Sequence, residues 1–166
     1  MSKKTSDVLT GGNMCQLKSG FSAVAAATTL TNVATTVSIN GRQYTIAAAT
    51  ATAGPTVDGF TGKAFLPIIA GQSCTFVVTY DKGGVRRVIQ GPIGSEADYA
   101  SGAGALEFPS QIPMEQCPIA YIVARAASTA VGTWTFGTNN HSGVTGVTTA
   151  VQDVSWLPSA SLKVTD

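Results

Sequence analysis

Thr36-Val37-Ser38-Ile39-Asn40-Gly41-Arg42-Gln43-Tyr44-Thr45-Ile46 is the stretch that decides the fold class. Two alternating runs flank Asn40-Gly41, a dipeptide that tolerates the two positive φ angles of a type I′ turn. That turn matches the twist of antiparallel strands, so the stretch reads as a tight hairpin. Val37, Ile39, Tyr44 and Ile46 then share one face at period two and are expected to be buried. Working outward, a second hairpin is expected over 73–90. Cys74-Thr75-Phe76-Val77-Val78-Thr79-Tyr80 is β-branched and aromatic, Asp81-Lys82-Gly83-Gly84 supplies a turn, and Val85-Arg86-Arg87-Val88-Ile89-Gln90 returns.

Beyond it the period is lost. Gly91-Pro92, Gly94-Ser95 and Ser101-Gly102-Ala103-Gly104 predict a long irregular segment over 91–110, an exposed loop or internal boundary. Alternation resumes at Ile119-Ala120-Tyr121-Ile122-Val123-Ala124-Arg125. Gly132-Thr133-Trp134-Thr135-Phe136-Gly137 reads as a further strand with both aromatics on one face, and 144–154 as one or two more. Helix is hinted only by the alanines of 23–27 and 47–53, and threonines, stiff at χ1, break both. The expectation is an all-β protein with little helix, an antiparallel β-sandwich or compact barrel. It would comprise an N-terminal arm (1–14) and a β domain (15–166). One domain and two packed β subdomains dividing near 91–110 are both compatible with this pattern.

Composition leaves two readings of the surface open. Charged residues are 11% of the 166, against about 25% in an average soluble domain. The surface is therefore covered by Thr, Ser, Asn, Gln and Gly, or it is not fully solvated, as in an oligomer or a docked subunit. The net charge is +1, and the only adjacent basic pairs are Lys3-Lys4 and Arg86-Arg87. Nucleic-acid binders concentrate Lys and Arg on one face, so no nucleic-acid partner is expected. Cys15, Cys74 and Cys117 show no zinc spacing and no framework pattern, which fits buried, reduced thiols. The start carries no apolar signal core, and the run 21–30 is too short and too polar to span a membrane. A chain made in the cytoplasm, unprocessed and away from membranes, is expected.

Few residues carry chemistry. His141, in Thr138-Asn139-Asn140-His141-Ser142-Gly143, is the single histidine. As a base beside Ser142 it would need an orienting carboxylate and an oxyanion hole, and as a metal ligand it would need clustered partners. The sequence supplies neither, so it reads as a polar loop histidine between strands. Glu96 and Asp98 form the closest carboxylate pair, the minimum for glycoside hydrolysis, but they lie in the Gly-rich segment and read as a solvated loop. Gly83-Gly84 and Gly102-Ala103-Gly104 match no phosphate-binding loop. Asn140-His141-Ser142 matches a glycosylation sequon, relevant only in a eukaryotic secretory route. Trp134 reads as core and Trp156 as a subunit contact, since Trp is enriched at interfaces. No catalytic residue, cofactor or metal site is assigned, and a non-enzymatic role is expected.

The stretch Pro109-Ser110-Gln111-Ile112-Pro113-Met114-Glu115-Gln116-Cys117-Pro118-Ile119-Ala120-Tyr121-Ile122 resembles a segment of tailed-bacteriophage virion structural proteins. There a proline-bounded linker leads to Cys-Pro-Ile-Gly and an apolar strand; here Ala120 stands in place of the glycine. Thr135-Phe136-Gly137-Thr138, Val144-Thr145-Gly146-Val147-Thr148 and Asp153-Val154-Ser155-Trp156-Leu157-Pro158 are similar to the segments that follow in that family. The resemblance implies a virion structural role, often head decoration, cement or fibre-like accessory, and commonly a homotrimer seated on the capsid surface against the major capsid protein. In such a role the polar arm 1–14 can order on docking, and Lys3, Lys4 and Trp156 are the candidate interface residues. The alternative is a head-fibre or tail-associated β protein that binds a receptor or glycan. A carbohydrate-binding sandwich would cluster aromatics on one open face, but the 12 aromatics (six Phe, four Tyr, two Trp) are spread along the chain.

Overall fold

The computed structural model describes residues 13–101 and 107–154. These form ten strands and one short helix: β1 (Met14–Cys15), β2 (Ser22–Ala23), β3 (Thr29–Asn32), β4 (Thr35–Ile39), β5 (Arg42–Ile46), β6 (Ala49–Ala53), β7 (Gln72–Asp81), β8 (Arg86–Ser95), α1 (Glu96–Ser101), β9 (Gln116–Ala126) and β10 (Val147–Asp153). The strands make three antiparallel sheets, in the orders β1-β4-β5, β2-β3-β6 and β10-β9-β7-β8. The fold is all-β, and of the two expected architectures it is the sandwich-like one, built of packed open sheets.

The hairpin at Asn40-Gly41 forms as its sequence dictates. Asn40 has φ 50° and Gly41 φ 75°, and Val37 faces Tyr44 across the ladder. Val37, Ile39 and Ile46 are buried, and Tyr44 packs half-buried against the same core. The Asp81 turn also forms: Asp81 Oδ1 accepts from the amides of Gly83 (2.9 Å) and Val85 (3.0 Å).

Residues 73–80 of β7 are buried without interruption. Side chains alternate between the faces of a sheet, so unbroken burial requires cover on both faces. The two smaller sheets and the connecting segments provide it, and one apolar cluster runs continuously from Cys15 to Val147. Polar bolts fix these layers. Tyr80 on β7 donates to Asn32 Oδ1 on β3 (2.7 Å). The Arg86 guanidinium on β8 donates to the carbonyls of Leu30 (3.3 Å) and Thr52 (3.3 Å) and to the Thr52 hydroxyl. Asn13 Nδ2 donates to the carbonyls of Met114 (2.6 Å) and Gln116 (2.8 Å), anchoring the start of β1 to β9.

Two local readings change. First, 91–101 is not irregular. β8 continues to Ser95 because the register shift opposite Thr75 absorbs Gly91-Pro92 as a bulge, where a proline's missing N–H costs no ladder bond. Ser95 Oγ then accepts from the Asp98 amide (3.3 Å) as the N-cap of α1, whose first turn holds Glu96 and Asp98. Second, 132–137 is not a ladder strand: only Trp134 bridges, to Ile68, and the segment crosses the core as a strap. Of the one or two strands expected over 144–154, one forms, β10. At the arm boundary, Asn13 and Met14 are tied into the fold, while 1–12 lies outside the described residues.

Candidate functional site

β8 is an edge of the four-stranded sheet, and a bare edge exposes unpaired N–H and C=O groups. The segment 57–66 covers it. Gly59 N donates to Val88 O (2.7 Å), and the Asp58 carboxylate, 6% exposed, organises the rest. Its Oδ1 accepts from the amides of Phe60 (3.0 Å) and Thr61 (2.7 Å) and from the Thr61 hydroxyl (2.9 Å). Its Oδ2 accepts from the Gln90 amide (2.7 Å). The Gln90 side chain completes the seal like a strand residue: Oε1 accepts from Leu66 N (2.8 Å) and Nε2 donates to Leu66 O (2.9 Å).

With its backbone so engaged, the segment turns side chains outward. Phe60 is 51% and Leu66 63% exposed. Together with Pro92, Pro109 and Gln111 they wall an open groove of about 480 Å³, with Lys63 also in its lining. Among the described lining residues there is no imidazole, thiol or pair of carboxylates. The one carboxylate, Asp58, already accepts four hydrogen bonds and is not free to act as a base. The groove offers apolar contact area, which is the chemistry of docking.

The other residues singled out from the sequence are dispersed. Lys3, Lys4 and Trp156 lie outside the described residues. Glu96 is not a solvated loop carboxylate; it forms an ion pair with Arg125, whose guanidinium also lies 4.7 Å over the Tyr99 ring. Trp134 is fully buried, its indole N–H donating to Asn140 O (2.9 Å). His141 lies in the loop between β9 and β10, as expected, but is 2% exposed and packs against the rings of Trp134 and Phe136. Ser142 Oγ donates to Ala25 O (2.8 Å), away from any role as a nucleophile for His141. The three cysteines are free and buried. Burial pushes the Cys74 thiol up to about 11, and burial with neighbouring Cys15 pushes Cys117 up to about 12, so both are held as inert thiols. Among the described residues no His, Cys, Asp or Glu group is arranged to hold a metal ion.

Phe60 and Leu66 were not singled out from the sequence. Asp58-Gly59-Phe60-Thr61-Gly62 announces a turn, but exposure of Phe60 depends on Gln90, remote in the chain. No protein-family model, curated protein or solved structure matches the chain.

Proposed function

We propose that this protein is a non-enzymatic structural subunit of a bacteriophage virion, a decoration or cement protein that binds the outer face of the major capsid protein as a homotrimer. The observation that carries the reading is the groove on β8. Its walls present Phe60 and Leu66 to solvent on a frame whose backbone hydrogen bonds are already closed. Such a surface loses little conformational entropy on docking, because the covering loop is fixed beforehand. Low charge supports the same reading, as does the resemblance of 109–158 to virion proteins.

The mechanism is mechanical. Packaged DNA presses on a thin shell, and a subunit bridging neighbouring capsid proteins adds contacts that must break together. A standard interface buries roughly 1,600 Å² in total, and repetition over the lattice adds avidity. Light scattering of the purified protein, then co-sedimentation with undecorated capsids, tests the proposal. A trimer that saturates capsids at a fixed stoichiometry is expected, with Phe60→Ser weakening the association. A monomer that ignores capsids yet binds a glycan array would replace it with the receptor-binding reading.

A further inference from the structure

An imidazole needs one hydrogen-bond acceptor and one donor even when neutral. His141 has neither: it is 2% exposed, and Nδ1 and Nε2 are both buried without a partner among the described residues. Its ring lies 6.3 Å from the Trp134 ring and 5.8 Å from that of Phe136, centroid to centroid. Its backbone, by contrast, is fully used. His141 N donates to Ala27 O (3.1 Å), Ser142 N and Oγ both donate to Ala25 O (2.8 Å each), and Thr149 Oγ1 donates to His141 O (3.2 Å). Loop 138–143 is thus docked on the turn between β2 and β3, and its one plug into the core is this side chain.

We propose that His141 is an acid-released latch: the neutral imidazole, seated against Trp134 and Phe136, holds loop 138–143 on the turn 24–28, and its protonation frees the loop.

The surroundings give a proton no compensation. The strap 132–137 contributes Trp134 and Phe136. The turn contributes the carbonyls of Ala25 and Ala27, each already accepting a backbone amide. β10 contributes Thr149, and its one carboxylate, Asp153, is engaged by Ser19 Oγ (2.8 Å) and Gly20 N (2.7 Å). No ionisable group faces the ring from these elements, and burial alone holds its pKa below the ordinary value. A charged imidazole is disfavoured in such a site without a counter-charge or acceptor, whereas the undocked loop places it in water.

The direction follows from linkage. In the open form the imidazole takes a proton at about pH 6.5, while the docked form resists until a lower pH. The docking equilibrium is therefore independent of pH well above about 6.5. The ratio of open to docked forms rises by up to about tenfold for each pH unit below that, until the docked form itself titrates. The latch acts independently of capsid binding and needs no partner.

Because the chain has one histidine, its ring proton resonances are unambiguous in a titration followed by NMR. A midpoint below the free-histidine value is expected. Amide hydrogen exchange, corrected for intrinsic rates, should show protection of His141 and Ser142 falling at least fivefold between pH 7.5 and 5.5. The same loss should be absent in His141→Leu, which keeps the plug apolar. A midpoint at or above the free value, or pH-independent protection in the unaltered protein, overturns the proposal without reference to any variant. Equal pH-driven loss in His141→Leu overturns it as well.

Discussion

Two buried polar groups, Asp58 and His141, sit in opposite conditions. The Asp58 carboxylate accepts four hydrogen bonds, one from a residue 32 positions away. The His141 ring makes none among the described residues and relies on aromatic contact. Both hold a loop in place, Asp58 on the edge of β8 and His141 on the turn 24–28, but the carboxylate does so with donors that satisfy it, and the imidazole by remaining uncharged. A buried charge is retained where backbone N–H groups converge on it, and a buried base without partners becomes a point of weakness. The second loop should be sensitive to acid.

The hardest way to break the comparison is on the aromatic side. Phe136 contacts the rings of Phe65, Phe76, Trp134 and His141, so Phe136→Ala should cost about 3–5 kcal/mol in urea unfolding. A loss below 1 kcal/mol would mean that the strap is not held by this cluster. Asp58→Ala comes next, at about 2–4 kcal/mol, because four donors lose an acceptor at once. The same change should loosen 57–66 in hydrogen exchange while leaving the Asn40-Gly41 hairpin protected. On the His141 side, stability of the unaltered protein should be steady above about pH 6.5 and fall as pH drops from there towards the depressed folded value, by up to about 1.4 kcal/mol per unit. The sign is fixed: the unfolded chain binds the proton more readily than the native one. His141→Leu should remove that slope, so the two stability curves converge or cross in acid; parallel curves would refute the account. Smallest is Thr61→Val, which deletes one of the four bonds to Asp58 and should cost about 0.5–1.5 kcal/mol. A cost equal to that of Asp58→Ala would show that the four bonds act as one unit.

The strands that could be read in advance are those whose signals are local. Asn40-Gly41 sets its own turn, Asp81 caps its own, and the β-branched runs of β7 and β9 carry their extended geometry wherever they pack. The Gly91-Pro92 bulge was misread because what keeps β8 straight past a proline is its partner strand, absent from a local window. The groove was hidden for a similar reason. Phe60 looks like a core aromatic until Gln90 and Asp58 fix the loop that turns it outward. His141 lies in a loop between strands as read, but its burial was not legible: Thr138-Asn139-Asn140 gives no sign that the ring packs under Trp134 and Phe136.

The sequence by itself determined an all-β chain, the positions of its hairpins and its poverty of charge, since turn chemistry, period-two alternation and composition are properties of neighbours along the chain. Only the tertiary structure decided which faces of β7 are covered, that Asp58 and Gln90 seal the edge of β8 and open a groove, and that the one histidine is buried without a partner among the described residues. These depend on residues brought together from distant parts of the chain, where burial and hydrogen-bond partners are assigned by packing and cannot be read from local pattern.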